Sequence, residues 1–351
     1  MRTASTPMTT GARSGRRLAV AALALVLGVA GCGGSQEQTR DSDGSLTLYS
    51  GRSEELIGPL LDRFTDETGI TLDVRYGDTA ELAAQLLEEG ERTPAEVFFA
   101  QDAGALGTVA AAGGAVPLPA SVTDLVPSAY VGPDRQWVAV SGRARAFVWS
   151  PAVLGDQPLP QSVLELVEPQ WADRVAIAPT NASFQAFVTA LRLTLGEQAA
   201  EEWLRGLVAN RVQLYEKNSQ IVEAADRGEV GLGLINHYYM AQVSAGLGRP
   251  LTAELGFFAP GDAGSLVNVA GVLQTPTGGQ DPDALTFISW LLAAEAQEFF
   301  VTETNEYPVI TGVGQPTGVP PLETLQGPDV ALGDLVDLPG TIELLGRVGL
   351  L

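Results

Sequence analysis

Between Leu46 and Ala100 short apolar runs alternate with amphipathic ones across links of a few residues, and few folds accept that order. Leu46-Thr-Leu-Tyr-Ser50 reads as a strand. Residues 54–68 read as a helix with Leu56, Leu60, Leu61 and Phe64 on one face and Gly69 as its stop. Ile70 to Tyr76 is a second strand. Asp78 followed by Glu81 predicts an N-cap and its capping-box partner, opening a helix that carries Leu82, Leu86 and Leu87 and stops at Gly90. Glu96-Val-Phe-Phe-Ala100 is a third strand. Strands joined in this way through helices pack as a parallel sheet with helices on its faces. The expected class is therefore α/β.

The pattern returns further on. Arg174 to Ala178 reads as a strand, residues 183–196 and 197–208 as helices, Val212 to Tyr215 as a strand, Ser219 to Arg227 as a helix and Val230 to Ile235 as a strand. A helix follows over His237–Gly246. Trp137 to Ser141 and Ala146 to Trp149 form one long extended stretch, and Val267 to Val272 another. Two such stretches crossing between lobes make each lobe discontinuous in sequence. No internal repeat and no dinucleotide or P-loop glycine signature is present.

The N-terminus has a separate logic. Arg2, Arg13, Arg16 and Arg17 precede an apolar run, Leu18 to Ala30, of signal-peptide length. Val29-Ala30-Gly31-Cys32 then places small residues directly before the only cysteine of the chain. That pattern predicts cleavage before Cys32 and a diacylglycerol thioether on its sulfur, which accounts for a lone thiol in an exported protein. Residues 1–31 are thus expected to be a lipoprotein signal peptide, and 32–44 the lipidated Cys32 and a disordered tether. The expected location is the outer face of the cytoplasmic membrane. The formal net charge of −22 becomes four units more negative once the leader arginines are removed. Such a chain is not expected to bind nucleic acid.

Leu234-Ile-Asn-His-Tyr-Tyr239 carries the chemistry. Two adjacent phenols can become two hard, anionic oxygen ligands, which suit a hard, highly charged cation such as ferric iron. The competing reading is a pair of amphipathic aromatics packed at a strand end. His237, the only histidine, is expected to point away if both tyrosines reach a metal, because adjacent side chains diverge. Tyr49, Tyr76, Tyr130, Tyr215 and Tyr307 read as packing or cleft-wall residues.

Seven segments, in order, resemble the ferric-ion-binding extracytoplasmic solute-binding proteins that serve ABC transporters. They are Leu48-Tyr-Ser-Gly-Arg52, Pro94-Ala-Glu-Val-Phe-Phe99, Trp137-Val-Ala-Val-Ser-Gly-Arg143, Pro179-Thr-Asn-Ala-Ser-Phe184, Lys217-Asn-Ser219, Leu234-Ile-Asn-His-Tyr-Tyr239 and Glu306-Tyr-Pro308. The resemblance implies a two-lobed periplasmic-binding-protein-like fold with β-strand hinges and a ligand cleft between the lobes. It places lobe 1 at 45–143 plus 269–318 and lobe 2 at 144–268 plus 319–351. It implies that Tyr238 and Tyr239 bind Fe(III), and that a monomer delivers the ion to an ABC permease and its ATPase. It does not imply an enzyme.

The chain departs from the best-known members in two places. Ser53 stands where a histidine ligand is expected, and Gln101 where a glutamate is expected. A third tyrosine of other members would fall near Phe184. Ser53, Gln101 and Phe184 are therefore expected to line the cleft without ligating iron. The remaining positions fall to carbonate or phosphate, to water, or to Asp102, whose alternative role is a helix N-cap. Arg52 is placed to meet the anion with its guanidinium fork, or else to pair with Glu54 or Glu55 at the rim. Thr180, Asn181, Ala182 and Ser183 open a helix and either cradle the anion or simply cap. The resemblance assigns Asn218 and Asn236 to anion contact; holding loops together is their other reading. A same-fold receptor for a phosphonate, thiamine, polyamine or sugar stays as the alternative. An extracytoplasmic hydrolase finds no nucleophile motif.

Overall fold

The computed structural model describes residues 42–351; Cys32, the leader and most of the tether lie outside the described residues. The first strand, β1 (Ser45–Ser50), leads into α1 (Glu54–Thr68), β2 (Thr71–Tyr76), α2 (Thr79–Glu89), β3 (Val97–Ala100) and α3 (Ala103–Ala111). A short α4 (Ala120–Thr123) precedes the long strand β4 (Val138–Trp149). Then come α5 (Pro151–Leu154), β5 (Val175–Ile177), α6 (Ala182–Leu195), α7 (Glu197–Ala209), β6 (Gln213–Leu214), α8 (Asn218–Asp226), β7 (Leu232–Asn236) and α9 (Tyr239–Leu247). The chain ends through β8 (Glu254–Gly256), β9 (Val267–Gln274), α10 (Pro282–Leu291), α11 (Ala294–Thr302) and α12 (Leu338–Arg347).

Strand order is β2-β1-β3-β9-β4-β7-β5-β6, with β8 beside β4. The opening βαβαβ run pairs in parallel, β2 with β1 and β1 with β3. β4 is the seam. Its first half, Val138 to Ala144, pairs antiparallel with β9, and its second half, Arg145 to Trp149, pairs antiparallel with β7. The two stretches expected around 137–149 are thus one strand that serves two sheets.

Each sheet has its own core. Leu48, Phe64, Phe98, Phe99, Leu106, Phe287 and Phe300 belong to one buried cluster with the first half of β4. Phe147, Trp171, Phe184, Phe187, Trp203 and Leu234 belong to another, which also takes Leu344 and Leu345 of α12. A smaller cluster under α8 and α9 gathers Val148, Ile221, Val222, Ile235 and Val243. Apolar burial at about 25 cal/mol per Å² makes these clusters the main cohesive force of the fold.

Local signals mostly behave as expected. Gly69 adopts φ 76° and donates its N–H to Thr65, closing α1 in the left-handed turn a side chain would resist. The capping box at α2 does not form. Asp78 stands at the N-cap but is exposed, and its side chain makes no capping bond. The buried hydroxyl of Thr79 does the local work instead, donating to Gly51 O at 3.2 Å and accepting from Gln101 N at 3.1 Å. α9 starts two residues later than the pattern suggested, which leaves His237 and Tyr238 in the strand-to-helix turn. Ser42 and Gly44, at the end of the expected tether, are bonded to Asp283.

Candidate arginine-flanked tyrosine site

The turn between β7 and α9 brings the two phenols together. Tyr238 is buried and Tyr239 partly exposed, and their rings stack with centroids 4.3 Å apart at 27°. Burial pushes the Tyr238 phenol well above its usual range, and neighbouring Tyr239 pushes it further. Arg52 and Arg143 pull it back. The phenol is therefore protonated at neutral pH, and a cation binding it must displace that proton.

His237 faces the other way. It is fully buried, its Nδ1 accepts from Ala144 N at 3.1 Å, and its Nε2 donates to Asn305 O at 2.8 Å. Its ring also lies 4.8 Å from Tyr307. With both nitrogens engaged and its pKa pushed down to about 4 by burial, it is a neutral strut. It ties the tyrosine turn to β4 and to the Asn305–Tyr307 segment.

Arg52 leaves β1 through Gly51, where a Cβ would come within 2.0 Å of the Thr79 hydroxyl, so only glycine permits this turn. The guanidinium is buried and does not pair with Glu54 or Glu55. Its Nη2 donates to Glu306 Oε1 at 2.7 Å, with the two side chains 1% and 0% exposed. Ser141 Oγ donates to the other Glu306 oxygen at 2.9 Å. Among the described residues the Nη1 of Arg52 has no partner, and the guanidinium is near enough to Tyr238 and Tyr239 to favour their phenolate forms.

A polar cluster forms where α6 and α8 begin. Asn181 caps α6, its Oδ1 accepting from Ser183 N at 3.0 Å and Ser183 Oγ at 2.6 Å. Asn218 Nδ2 donates to the same Asn181 oxygen at 3.1 Å. Asn236 is buried at the end of β7, opposite Arg145 of β4. Thr180 is exposed and Ala182 half-buried. Asn181, Ser183 and Asn218 thus form one bonded group.

The remaining expected residues are scattered by role. Asp102 caps α3 through Ala105 N at 2.9 Å; burial raises its pKa, and Arg143 opposes the rise. Ser53 is exposed and Gln101 half-buried. Phe184 is fully buried against Phe187, and Arg145 lies over both rings, at 5.6 and 5.3 Å.

Sequence reasoning passed over Arg143 and Arg145. Both are buried, at 0% and 2% exposure, in the middle of β4. Their spacing of two along a strand of otherwise apolar and small residues puts them on one face. Two charges alternating inside an apolar strand were the available signal. Arg145 Nη1 reaches Ser183 Oγ at 3.4 Å, which joins it to the asparagine group.

Comparison with known proteins agrees with this architecture. Residues 93–330 match the family described as bacterial extracellular solute-binding protein. The chain belongs to that family. It is 33% identical over 316 residues to the Fe(3+)-binding periplasmic protein of Serratia marcescens, covering 90% of this chain and 93% of the relative. It is 32% identical over 308 residues to the major ferric iron-binding protein of Neisseria meningitidis serogroup B, covering 87% and 93%. The iron-bound HitA structure from Pseudomonas aeruginosa superposes with a TM-score of 0.83 at 30% identity, covering 87% of this chain and 99% of that one. As a member of this solute-binding family, the protein is an extracytoplasmic receptor of the two-lobed α/β class and not an enzyme.

Proposed function

We propose that this receptor binds ferric iron through the phenolates of Tyr238 and Tyr239, together with an anion. It then passes the ion to an ABC permease driven by its ATPase. The single observation that carries the reading is the stacked phenol pair at the β7–α9 turn, set among buried guanidiniums. Relatives named for ferric iron binding support it. Iron displaces both phenol protons and the nearby cations favour the resulting phenolates. Arg52 Nη1 and the Asn181–Ser183–Asn218 group, with Asn236, hold the anion, carbonate or phosphate in the simplest case. Asp102 is the candidate carboxylate ligand, its Oδ1 already accepting the capping bond from Ala105 N.

The separate cores support two lobes at 45–143 plus 269–318 and at 144–268 plus 319–351, with β4 and the start of β9 as hinges. Lipidation of Cys32 tethers the monomer to the outer face of the cytoplasmic membrane.

The test is to add ferric iron with bicarbonate to apo protein and follow tyrosinate-to-iron charge transfer. A visible band is expected in the wild type and none in Tyr238→Phe/Tyr239→Phe. No band in the wild type, or a full band in the double variant, rejects the reading. A receptor for an organic anion without metal is the second reading, because the buried guanidiniums keep free donors. Calorimetry with metal-free carboxylates and phosphates would reveal it.

A further inference from the structure

After Gly318 the chain passes once more from the first lobe to the second, and the end of that passage forms a strap. Leu332 packs against both large cores, and Leu335 is buried in the second. Around Leu335 the backbone lies directly on α3. A Cβ on Gly104 would come within 2.3 Å of Leu335 O, and one on Gly107 within 2.6 Å of Val336 Cγ1. Gly333 sits against the Pro133 ring, where an added Cβ would stand 3.1 Å away. Gly104 and Gly107 are three apart on one face of α3, and together they make the groove that seats the strap.

The two sides of the strap are held differently. Directly after it, Asp337 caps α12 through Gly340 N at 3.0 Å and receives Arg192 Nη2 at 2.7 Å. Arg192 Nη1 also donates to Asp337 O at 3.1 Å and to Thr341 Oγ1 at 2.9 Å. The Thr189 and Thr341 hydroxyls are bonded at 2.7 Å in a buried position. These bonds fix α12 to α6. On the α3 side, among the described residues, one hydrogen bond holds the strap, from Thr108 Oγ1 to Val336 O at 2.8 Å. That hydroxyl is shared with Gly104 O. Beside the strap a cavity of about 500 Å³, bordered by Tyr130, Pro133, Leu266, Val267, Val330 and Leu332, leaves it room to move.

The helices joined in this way are two that open on the tyrosine site. Asn181 caps α6, and Asp102 caps α3. In the same arrangement the tyrosine turn of the second lobe meets the first, His237 Nε2 donating to Asn305 O at 2.8 Å. We infer that residues 332–336 are an interlobe latch, which holds the lobes together while seated on Gly104 and Gly107 and leaves α3 when they part. The α3 side is the one that gives way, because releasing it breaks one hydrogen bond and van der Waals contacts, whereas the α6 side carries an arginine and a buried hydroxyl pair. The inference rests on the two-lobe reading above and is independent of the ligand's identity.

The experiment uses the full chain and begins without metal. Gly107→Ala crowds Val336, while alanine suits a helix interior. Its small-angle scattering should give a larger radius of gyration than the wild type. Amides of 332–336 should exchange about tenfold faster, with those of α12 unchanged. Gly107→Ala/Val336→Ala gives back the space and should restore both readouts. Thr108→Val, which removes the strap's bond to α3, should act in the same direction as Gly107→Ala. Gly346→Ala, on the open face of α12, should change neither readout. With ferric iron and bicarbonate, Gly107→Ala should also release iron about tenfold faster. Faster exchange with an unchanged or smaller radius of gyration overturns the latch. Exchange unchanged in both Gly107→Ala and Thr108→Val overturns it as well. A wild type that takes up no iron ends the ferric reading alone, and the latch then stands or falls on the metal-free scattering.

Discussion

The two sheets present unlike chemistry to the same site. The β7 side supplies the phenols and a self-bonded polar group, in which Asn181 Oδ1 receives Ser183 and Asn218 before any ligand arrives. The β1 side supplies one guanidinium on a short turn, held by Glu306 from 254 residues away. One face has its polar group assembled from the neighbouring starts of α6 and α8, with only the tyrosine turn tied to Asn305 through His237. The other is positioned by a single buried ion pair and is correct only if the distant Asn305–Tyr307 segment is in place. That segment also bonds the seam strand, Gly142 and Tyr307 exchanging hydrogen bonds of 2.7 and 2.9 Å, and it receives His237 from the tyrosine turn. The difference predicts which face tolerates change.

Losing the phenols should have the largest effect, since Tyr238→Phe/Tyr239→Phe removes both anionic ligands and should abolish iron binding in equilibrium dialysis. Breaking the positioned face comes next. Glu306→Ala leaves Arg52 buried and unpaired and should cost about 3–5 kcal/mol in chemical denaturation. The self-bonded face should be more forgiving: Asn181→Ala removes the α6 cap and should cost about 1 kcal/mol. Asp102→Asn separates capping from ligation. Asparagine caps as well as aspartate, so the melting temperature should hardly move, and any fall in iron affinity then reports a lost carboxylate ligand. Ser53→Ala, at an exposed position with no capping bond, should change stability by less than about 0.5 kcal/mol.

Acid should release the metal. Burial raises the Tyr238 pKa, so protons compete strongly for the phenolate and binding weakens as pH falls. Two displaced phenol protons correspond to about 2.7 kcal/mol of binding free energy per pH unit, readable as loss of colour in a pH titration.

The backbone was largely legible because its signals are local. Apolar faces at helical spacing, the Gly69 stop and the short links of the first three strands each act within a few residues. The capping box at Asp78 was misread because a tertiary contact, Thr79 to Gly51, took over the polar role. At the site, His237 was expected to point away if both tyrosines reach a metal, and its two buried nitrogens are engaged by the backbone of Ala144 and Asn305. The partner of Arg52 did not follow, because Glu306 is joined to it only through the folded chain and the nearer Glu54 and Glu55 compete on paper. Arg143 and Arg145 were hidden among apolar residues that identify a strand but not what its face meets.

The most direct measurement is a crystal structure of the iron-loaded protein with anomalous scattering at the iron edge. The account predicts one iron peak bonded to the hydroxyl oxygens of both Tyr238 and Tyr239, with oxyanion density reaching the free nitrogen of Arg52. An iron peak away from the pair, or bonded to His237 with the phenols unligated, would contradict it.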